Sequence, residues 1–260
     1  MPVNAGSSAT GGIKMRKSLF VVYILVTIIV FTGCSTANST DVMDQNDRTD
    51  EYLGESEFTE KVRDSYENGQ KEIIEWDEFI ASNHSLGLGE VVSENVIEES
   101  DSVVLLSPEN SFNGSQKRSV DRIGYGSYIA NLKTDHAAGS YTAFFMYEGV
   151  AEKNDEIDIE IYNDGSRRID FVIWKDGVRT NYVQRKLDFD PTSNFFEYRI
   201  DYHPDYIAFF VEGELMAIFT EDIPESEMYL LANHWWPNWL EPSEEHGESR
   251  NYLRNIEKVI

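Results

Sequence analysis

Three carboxylates alternate with isoleucines in one short stretch of the chain. Residues 155–161 read Asp-Glu-Ile-Asp-Ile-Glu-Ile, and alternate side chains of a β-strand point to opposite faces. Glu156, Asp158 and Glu160 therefore share one face of the predicted strand, and the isoleucines share the other. Carboxylates in a row repel one another, so the acidic face is either the solvated surface of an acidic protein or a reactive site.

Such a row could supply the two carboxyl groups that cleavage of a glycosidic bond requires. One carboxylate attacks or stabilises the anomeric carbon, and a carboxylic acid protonates the leaving oxygen. The pKa values of the two groups must differ, and crowding separates them because one ionised group raises the pKa of the next. The Cα atoms of Glu156 and Glu160 are about 13 Å apart on a regular strand, so both side chains must lean over Asp158. The pattern favours a glycosidase over a solvated strand face.

The elements that position this row are predicted to be β-strands. No long amphipathic helix interrupts the second half of the chain. Glycine-containing turns are predicted at residues 175–177 and 212–214. About ten short strands without helical spacers predict a β-sandwich or barrel. The candidate strands are residues 123–133, 140–147, 156–162, 168–174, 180–186, 196–202, 206–211, 215–220, 228–232 and 251–259.

The N-terminal residues have the features of an export signal. Positive charges at residues 14–17 precede an apolar run from Leu19 to Phe31, which is shorter than the roughly 20 residues of a membrane-spanning helix. The Phe-Thr-Gly-Cys sequence that follows resembles a bacterial lipobox, with Phe31 in place of the usual Leu. We predict a signal peptide over residues 1–34 with lipidation of Cys34; an uncleaved membrane anchor is the alternative.

Composition narrows the class of partner. The formal net charge is −25, which disfavours binding to nucleic acid and suits a neutral polysaccharide. Cys34 is the only cysteine, so an intramolecular disulfide is excluded. Residues 35–71 are predicted to be an acidic linker that is disordered or partly helical, and residues 72–260 to be the folded domain. We expect a monomer that lies outside the cytoplasm, lipid-anchored to the membrane.

The sequence of the acidic strand is similar to the signature of glycoside hydrolase family 16, in the form that its lichenase branch carries. The resemblance extends over about residues 72–260. Further matching stretches are Arg118-Ser119 with residues 124–128, the strand 143–147, the hairpin 196–213, Ile223-Pro224 and residues 230–235.

The resemblance implies a fold, a reaction and a role for each carboxylate. The fold is an all-β jelly-roll sandwich of two curved antiparallel sheets with a concave substrate groove. Glu156 is the implied nucleophile, Glu160 the general acid/base and Asp158 the assisting carboxylate of a retaining, endo-acting hydrolase. The implied substrate is a β-linked polysaccharide, a β-1,3-1,4- or β-1,3-glucan. No cofactor is implied, and no metal is assigned, because the family's calcium-binding Asp aligns with Asn255.

Candidate substrate contacts come from the same stretches. Phe145 and Tyr147 alternate on a strand, so both can face the groove. Residues 234–239 contain three tryptophans and are predicted to form an aromatic loop, with His234 as a structural histidine. Asn154 stands where lichenases carry Trp, which predicts altered activity on mixed-linkage glucan. The predicted substrate-binding residues are Arg118, Tyr147, Asn154, Asn233, Trp235 and Trp239.

Two other functions use the same groove. A carbohydrate-binding surface lipoprotein without turnover needs the groove but not both glutamates. A transglycosylase that acts on wall polysaccharide uses the same residues as a hydrolase. The presence of both Glu156 and Glu160 favours an enzyme.

Overall fold

The computed structural model describes residues 57–67, 69–150 and 153–260. In these ranges one α-helix, α1 (Glu57–Glu67), precedes a succession of β-strands. The strands are β1 (Lys71–Ile74), β2 (Phe79–Ala81), β3 (His84–Leu86), β4 (Gly89–Val91), β5 (Val96–Glu98), β6 (Val103–Ser107), β7 (Ser115–Ser119), β8 (Gly126–Lys133), β9 (Tyr141–Glu148), β10 (Asp155–Tyr162), β11 (Arg168–Lys175), β12 (Val178–Lys186), β13 (Phe196–Tyr202), β14 (Ile207–Val211), β15 (Glu214–Phe219), β16 (Tyr229–Trp235) and β17 (Ser249–Val259).

Two antiparallel sheets contain most of these strands. The groove sheet has the order β12-β11-β10-β9-β16-β7-β2. The back sheet has the order β15-β14-β13-β8-β17-β6-β5, and β1 pairs with the C-terminal end of β17. β3 and β4 form a separate hairpin. The predicted all-β sandwich of two antiparallel sheets is confirmed.

The hydrophobic core lies between the two sheets. Ile157, Ile159 and Ile161 of β10 are fully buried in it. The rings of Phe171 in the groove sheet and Phe209 in the back sheet pack across the core, with centroids 5.0 Å apart. Because the isoleucines of β10 point into this core, the carboxylates that alternate with them point out of the sandwich.

Two tight turns were predicted from glycine and are confirmed. Asp176 and Gly177 join β11 to β12 with φ values of 52° and 80°, and Glu212 and Gly213 join β14 to β15 with φ values of 51° and 82°. Positive φ at both central residues is the geometry of a type I′ hairpin turn. The first of these turns pairs β12 with β11, which in turn pairs with β10.

Some strand boundaries differ from the prediction. Ile123 makes only an isolated bridge to Met228, and β8 begins at Gly126. Within the predicted aromatic loop, Trp235 is the last residue of β16, whereas Trp236 and Trp239 lie beyond that strand. Trp236 is fully buried, and its Nε1 donates a hydrogen bond to Ser107 Oγ at 2.8 Å. A partner for the indole N–H is what permits this burial.

Helix α1 covers part of the outer face of the back sheet. Val62 is 2% exposed and packs in a small cluster with Phe210 and Ile218. The ring of Phe58 meets that of Tyr206 edge to face, with centroids 5.6 Å apart. The helix lies within the segment predicted to be a partly helical linker. Among the described residues, no helix has the length and apolar character needed to cross a membrane.

Candidate active site

The acidic face of β10 lines a groove of about 920 Å³ on the outer side of the groove sheet. The groove crosses β12, β11, β10, β9, β16 and β7, each of which contributes lining side chains. Glu156, Asp158 and Glu160 all line it. Asp158 is 6% exposed, and the two glutamates on either side of it are half-buried. The structure thus brings the three predicted catalytic residues together.

The start of β10 is fixed by the turn between β11 and β12. The backbone N–H of Asp176 donates to Asp155 Oδ1 at 3.0 Å, and the N–H of Gly177 donates to the carbonyl oxygen of Asn154 at 2.8 Å. The Ser226 hydroxyl donates to the other oxygen of Asp155. These contacts position the residues that precede Glu156.

Glu156 lies between two hydrogen-bond donors. Asn154 Nδ2 donates to Glu156 Oε2 at 2.7 Å, and the Asp158 carboxyl also hydrogen-bonds to Glu156. Burial raises the pKa of Glu156 to about 7, and both hydrogen bonds act in the opposite direction. Burial, followed by the charges of Glu156 and Glu160, raises the pKa of Asp158 well above its usual range. Asp158 therefore holds a proton and donates it in a hydrogen bond to the Glu156 carboxylate.

Glu160 has a different environment. Burial raises its pKa to about 8, and the negative charges of Asp170 and Glu156 raise it as well. Within the described part of the chain, no side chain hydrogen-bonds to its carboxyl group. Glu160 is thus held as a neutral acid with its proton available. Burial raises the pKa of both glutamates, but hydrogen bonds oppose this rise at Glu156 and neighbouring charges add to it at Glu160. The two pKa values are thus separated in the direction that a nucleophile and a general acid require.

The β9 side of the acidic row is mostly apolar. Tyr147, Phe145 and Ala143 pair across the sheet with Glu156, Asp158 and Glu160 respectively. Beyond them, Tyr229 and Leu231 of β16 continue the same surface. This surface forms an aromatic and aliphatic floor, which suits the apolar faces of sugar rings.

The β11 side contains a carboxylate that the sequence analysis missed. Asp170 pairs directly with Glu160 across the sheet. It accepts hydrogen bonds from Tyr162 Oη at 3.0 Å, Tyr182 Oη at 3.3 Å and Gln184 Nε2 at 2.8 Å. The alternation of the predicted strand 168–174 was the available signal, because it gives Asp170 the same face as Val172 and Trp174.

Comparison with known proteins agrees with this geometry. Residues 89–252 match the model of the glycosyl hydrolases family 16. The chain belongs to this family. A beta-glucanase of Bacillus subtilis is 30% identical over 184 residues, which cover 69% of this chain and 70% of the relative. Other curated beta-glucanases match over about half their length, such as 42% of one and 55% of another.

Solved structures of the family share the fold of this chain. Bacillus licheniformis beta-glucanase superposes with a TM-score of 0.63 at 23% identity, covering 70% of this chain and 92% of that one. The catalytic domain of an endo-1,3-beta-glucanase (laminarinase) from Thermotoga petrophila superposes with a TM-score of 0.64 at 16% identity, covering 74% and 98%. These similarities establish the jelly-roll fold.

The predicted substrate residues of this family 16 chain all line the groove. The guanidinium of Arg118 lies over the ring of Tyr229, 3.9 Å from its centroid. Trp235 and Trp239 meet edge to face at 5.3 Å, and Trp239 is 60% exposed. Asn233 is buried, and its Oδ1 has no hydrogen-bond partner among the described residues. An unpaired buried acceptor in a groove is available to a substrate hydroxyl.

Two predicted roles near the groove become more specific. Asn154 is 5% exposed, and its amide is bound to Glu156, so it contacts the predicted nucleophile as well as lining the groove. His234 is fully buried against Ser140, with Nε2 and Oγ 3.0 Å apart, as expected for a structural histidine. In the described ranges, no three His, Cys, Asp or Glu side chains are grouped to hold a metal ion.

Proposed function

We propose that this family 16 chain is a retaining, endo-acting glycoside hydrolase that cleaves a β-1,3-1,4- or β-1,3-glucan. The observation that carries the proposal is the row of three carboxyl groups on β10, in which hydrogen bonds oppose the burial-raised pKa of Glu156 while neighbouring charges raise the pKa of Glu160 further. The names of its relatives support the substrate class, since they are beta-glucanases and an endo-1,3-beta-glucanase.

In the first step, the Glu156 carboxylate attacks the anomeric carbon and forms a covalent glycosyl ester. The bond to the leaving oxygen breaks, and Glu160 transfers its proton to that oxygen. In the ester Glu156 carries no negative charge, so its hydrogen bond from Asp158 is weaker than before. The charge returns when the ester breaks, and the hydrogen bond therefore favours the departure of the sugar in the second step.

In the second step, Glu160 is a carboxylate and acts as a base. It removes a proton from water, the water oxygen attacks the anomeric carbon, and the ester bond to Glu156 breaks. Glu160 ends this step protonated and Glu156 ionised, so both groups return to their starting states. Two inversions at the anomeric carbon give overall retention.

A polymer chain is the substrate form that suits this groove. The groove crosses six strands of the sheet rather than ending in a closed pocket beside the carboxylates. The floor of Phe145 and Leu231 supports sugar rings, and the free carbonyl oxygen of Asn233 accepts a hydrogen bond from a hydroxyl group. These features support binding of several sugar units at once, as an endo-acting enzyme requires.

We further propose that the enzyme works outside the cytoplasm, anchored to the membrane by lipid on Cys34. The support is the positive cluster, the apolar run and the lipobox-like sequence that precede Cys34. The net charge of −25 suits neutral glycan and disfavours direct contact with anionic lipid headgroups. Tethering through a linker is compatible with that charge.

The deciding experiment measures reducing ends released from lichenan, laminarin, xyloglucan and agarose. We expect release from lichenan or laminarin, oligosaccharide products early in the reaction, and no release by Glu156→Gln. Glycan binding without release indicates a binding protein. Products longer than the supplied donor, made when acceptor oligosaccharide is added, indicate a transglycosylase.

A further inference from the structure

A fourth carboxylate faces the predicted acid. Asp170 lies opposite Glu160 in the antiparallel ladder of β10 and β11. Directly opposed side chains in such a ladder have Cβ atoms about 4.5–5.5 Å apart, and like charges there are unfavourable. Asp170 is 4% exposed, so water screens this repulsion poorly.

Burial raises the pKa of Asp170, and its hydrogen bonds act in the opposite direction by favouring the ionised form. Tyr162 and Tyr182 direct hydroxyl groups at its two oxygens, and Gln184 adds an amide N–H. All three partners are neutral donors, so they stabilise a negative charge without cancelling it. An ionised Asp170 beside Glu160 makes loss of the Glu160 proton costly.

We propose that Asp170 is a positioning residue for the acid/base: its charge, fixed by Tyr162, Tyr182 and Gln184, keeps the proton on Glu160 until a leaving oxygen accepts it. The inference rests on the proposed function and assigns Asp170 a part that neither the family match nor the relatives specify. Asp170 needs no contact with the reacting atoms for this role.

Other charged or titratable groups around Glu160 do not replace Asp170. On β10 the nearest are Asp158, which holds a proton, and Glu156, which is bound to two donors. Two cations of these neighbouring strands lie over tyrosine rings. Arg168 of β11 lies over Tyr162 at 3.9 Å and also pairs with Asp164, and Arg179 of β12 lies over Tyr182 at 5.0 Å. The tyrosines that face this region are Tyr141, Tyr162 and Tyr182, each with a pKa raised above its usual value mainly by burial.

The test compares the pH profiles of kcat/KM for wild type and Asp170→Asn. The hydrolase needs protonated Glu160, so activity falls at alkaline pH as that proton is lost. Removing the charge of Asp170 should move this alkaline limb to lower pH by roughly one pH unit. The variant should then be about tenfold less active above the limb and close to wild type below it. A purely structural role would lower kcat/KM by a similar factor at every pH.

Matched variants separate the effect of this charge from a general one. Glu148→Gln removes a carboxylate that also lines the groove but pairs with Arg122, and it should leave the alkaline limb in place. Asp170→Glu keeps the charge and should keep the limb near its wild-type position. Asp170→Ser removes the same charge and replaces Asp170→Asn if that variant does not fold.

A direct titration keeps this inference distinct from the proposed function. In protein labelled with ¹³C at glutamate side chains, the Glu160 signal is the one absent from Glu160→Gln. Its pKa should be lower in Asp170→Asn than in wild type, whether or not any glycan is cleaved. If wild type cleaves no glycan, the proposed function fails and this titration alone decides. An unchanged Glu160 pKa, or an unmoved alkaline limb, overturns the role of Asp170.

Discussion

At the scale of single residues, the site depends on the contrast between two chemically identical side chains. Burial raises the pKa of both, but Glu156 has donors on both sides, from Asn154 and Asp158, whereas Glu160 has a facing carboxylate. In the proposed mechanism, the same residue type thus serves as a nucleophile at one position and as an acid at the other. The difference between the two roles therefore comes from the surroundings of each glutamate and not from its side chain.

Substitution of the two glutamates should separate their roles. Glu156→Gln removes the nucleophile and should abolish activity on every substrate. Glu160→Ala should lower kcat on glucan by about 10²–10⁴-fold but much less on aryl glycosides whose leaving groups need no proton. Azide should partly restore the Glu160→Ala variant by attacking the glycosyl ester. Equal losses on both substrate types in Glu160→Ala would contradict its role as the acid.

Asn154 should control the acidic side of the pH profile. Asn154→Ala removes a donor to the Glu156 carboxylate, so the pKa of Glu156 should rise and the acidic limb should move to higher pH by roughly one pH unit. The profile of kcat/KM from pH 4 to 9 measures this shift. Asn154→Trp should move the same limb, because it also lacks the donor. It should raise lichenan activity only if the indole reaches the groove from this buried position. An unmoved limb in both variants would mean that the Asn154 hydrogen bond does not affect catalysis.

The sequence predicted the catalytic row but not its surroundings. Strict alternation over residues 155–161 is a local pattern, so it assigns Glu156, Asp158 and Glu160 to one face without further information. The partners of this row come from other strands. Asp170 faces Glu160 because of the register in which β10 and β11 pair after the loop at residues 163–167. This register depends on the length of the loop, which the alternation of side chains does not reveal.

At the scale of elements, one face of β10 anchors the strand in the core and the other face carries the carboxylates. Ile157, Ile159 and Ile161 hold it in the core, and this fixes where the carboxylates on the other face stand. The buried face therefore fixes the position of both glutamates, since a strand that shifts along its ladder carries them with it. Its neighbours, β9 and β11, pair with it along most of its length.

Removal of one core anchor should therefore affect stability first. Ile159→Ala should lower the free energy of unfolding by about 2–5 kcal/mol, because it deletes buried methyl groups and leaves a cavity. Val178→Ala is the control, since Val178 is 62% exposed and a change there should stay within about 0.5 kcal/mol. Denaturant unfolding followed by tryptophan fluorescence measures both. Similar small effects in the two variants would contradict the burial of Ile159.

Elements with strong local signals were the predictable ones. The two type I′ turns contain Asp-Gly and Glu-Gly pairs, which supply the positive φ values that the turn requires. β1 was not predicted, because Lys71–Ile74 has no alternating pattern and its partner, the end of β17, lies far away in sequence. The burial of Trp236 was not predicted, because composition alone does not reveal a buried partner such as Ser107.

At the scale of the whole molecule, anchorage is the property to test. Cys34→Ser should shift the protein from the membrane fraction to the soluble fraction or leave an unprocessed precursor, because the acceptor of the lipid is gone. Fractionation with immunoblotting measures the distribution, and mass spectrometry of the native N-terminus should find a diacylglyceryl group on Cys34. Ser35→Ala is the control and should remain with the membrane. A native chain that keeps the apolar run and carries no diacylglyceryl group on Cys34 would contradict lipidation and favour the apolar run as an uncleaved anchor.

Helix α1 and β1 connect the sandwich to everything that precedes them, so they also bear any mechanical pull from that side. A pull first loads the packing of Val62 and Phe58 on the outer face of the back sheet. It then peels β1 from β17 one pair at a time, from Lys71↔Val259 toward Ile74↔Ile256. β10 pairs with neither strand and lies in the other sheet, so the path of the force bypasses the carboxylates. If the protein is held at its N-terminal side while it binds a polymer, α1 and β1 should detach from the back sheet before the groove changes shape.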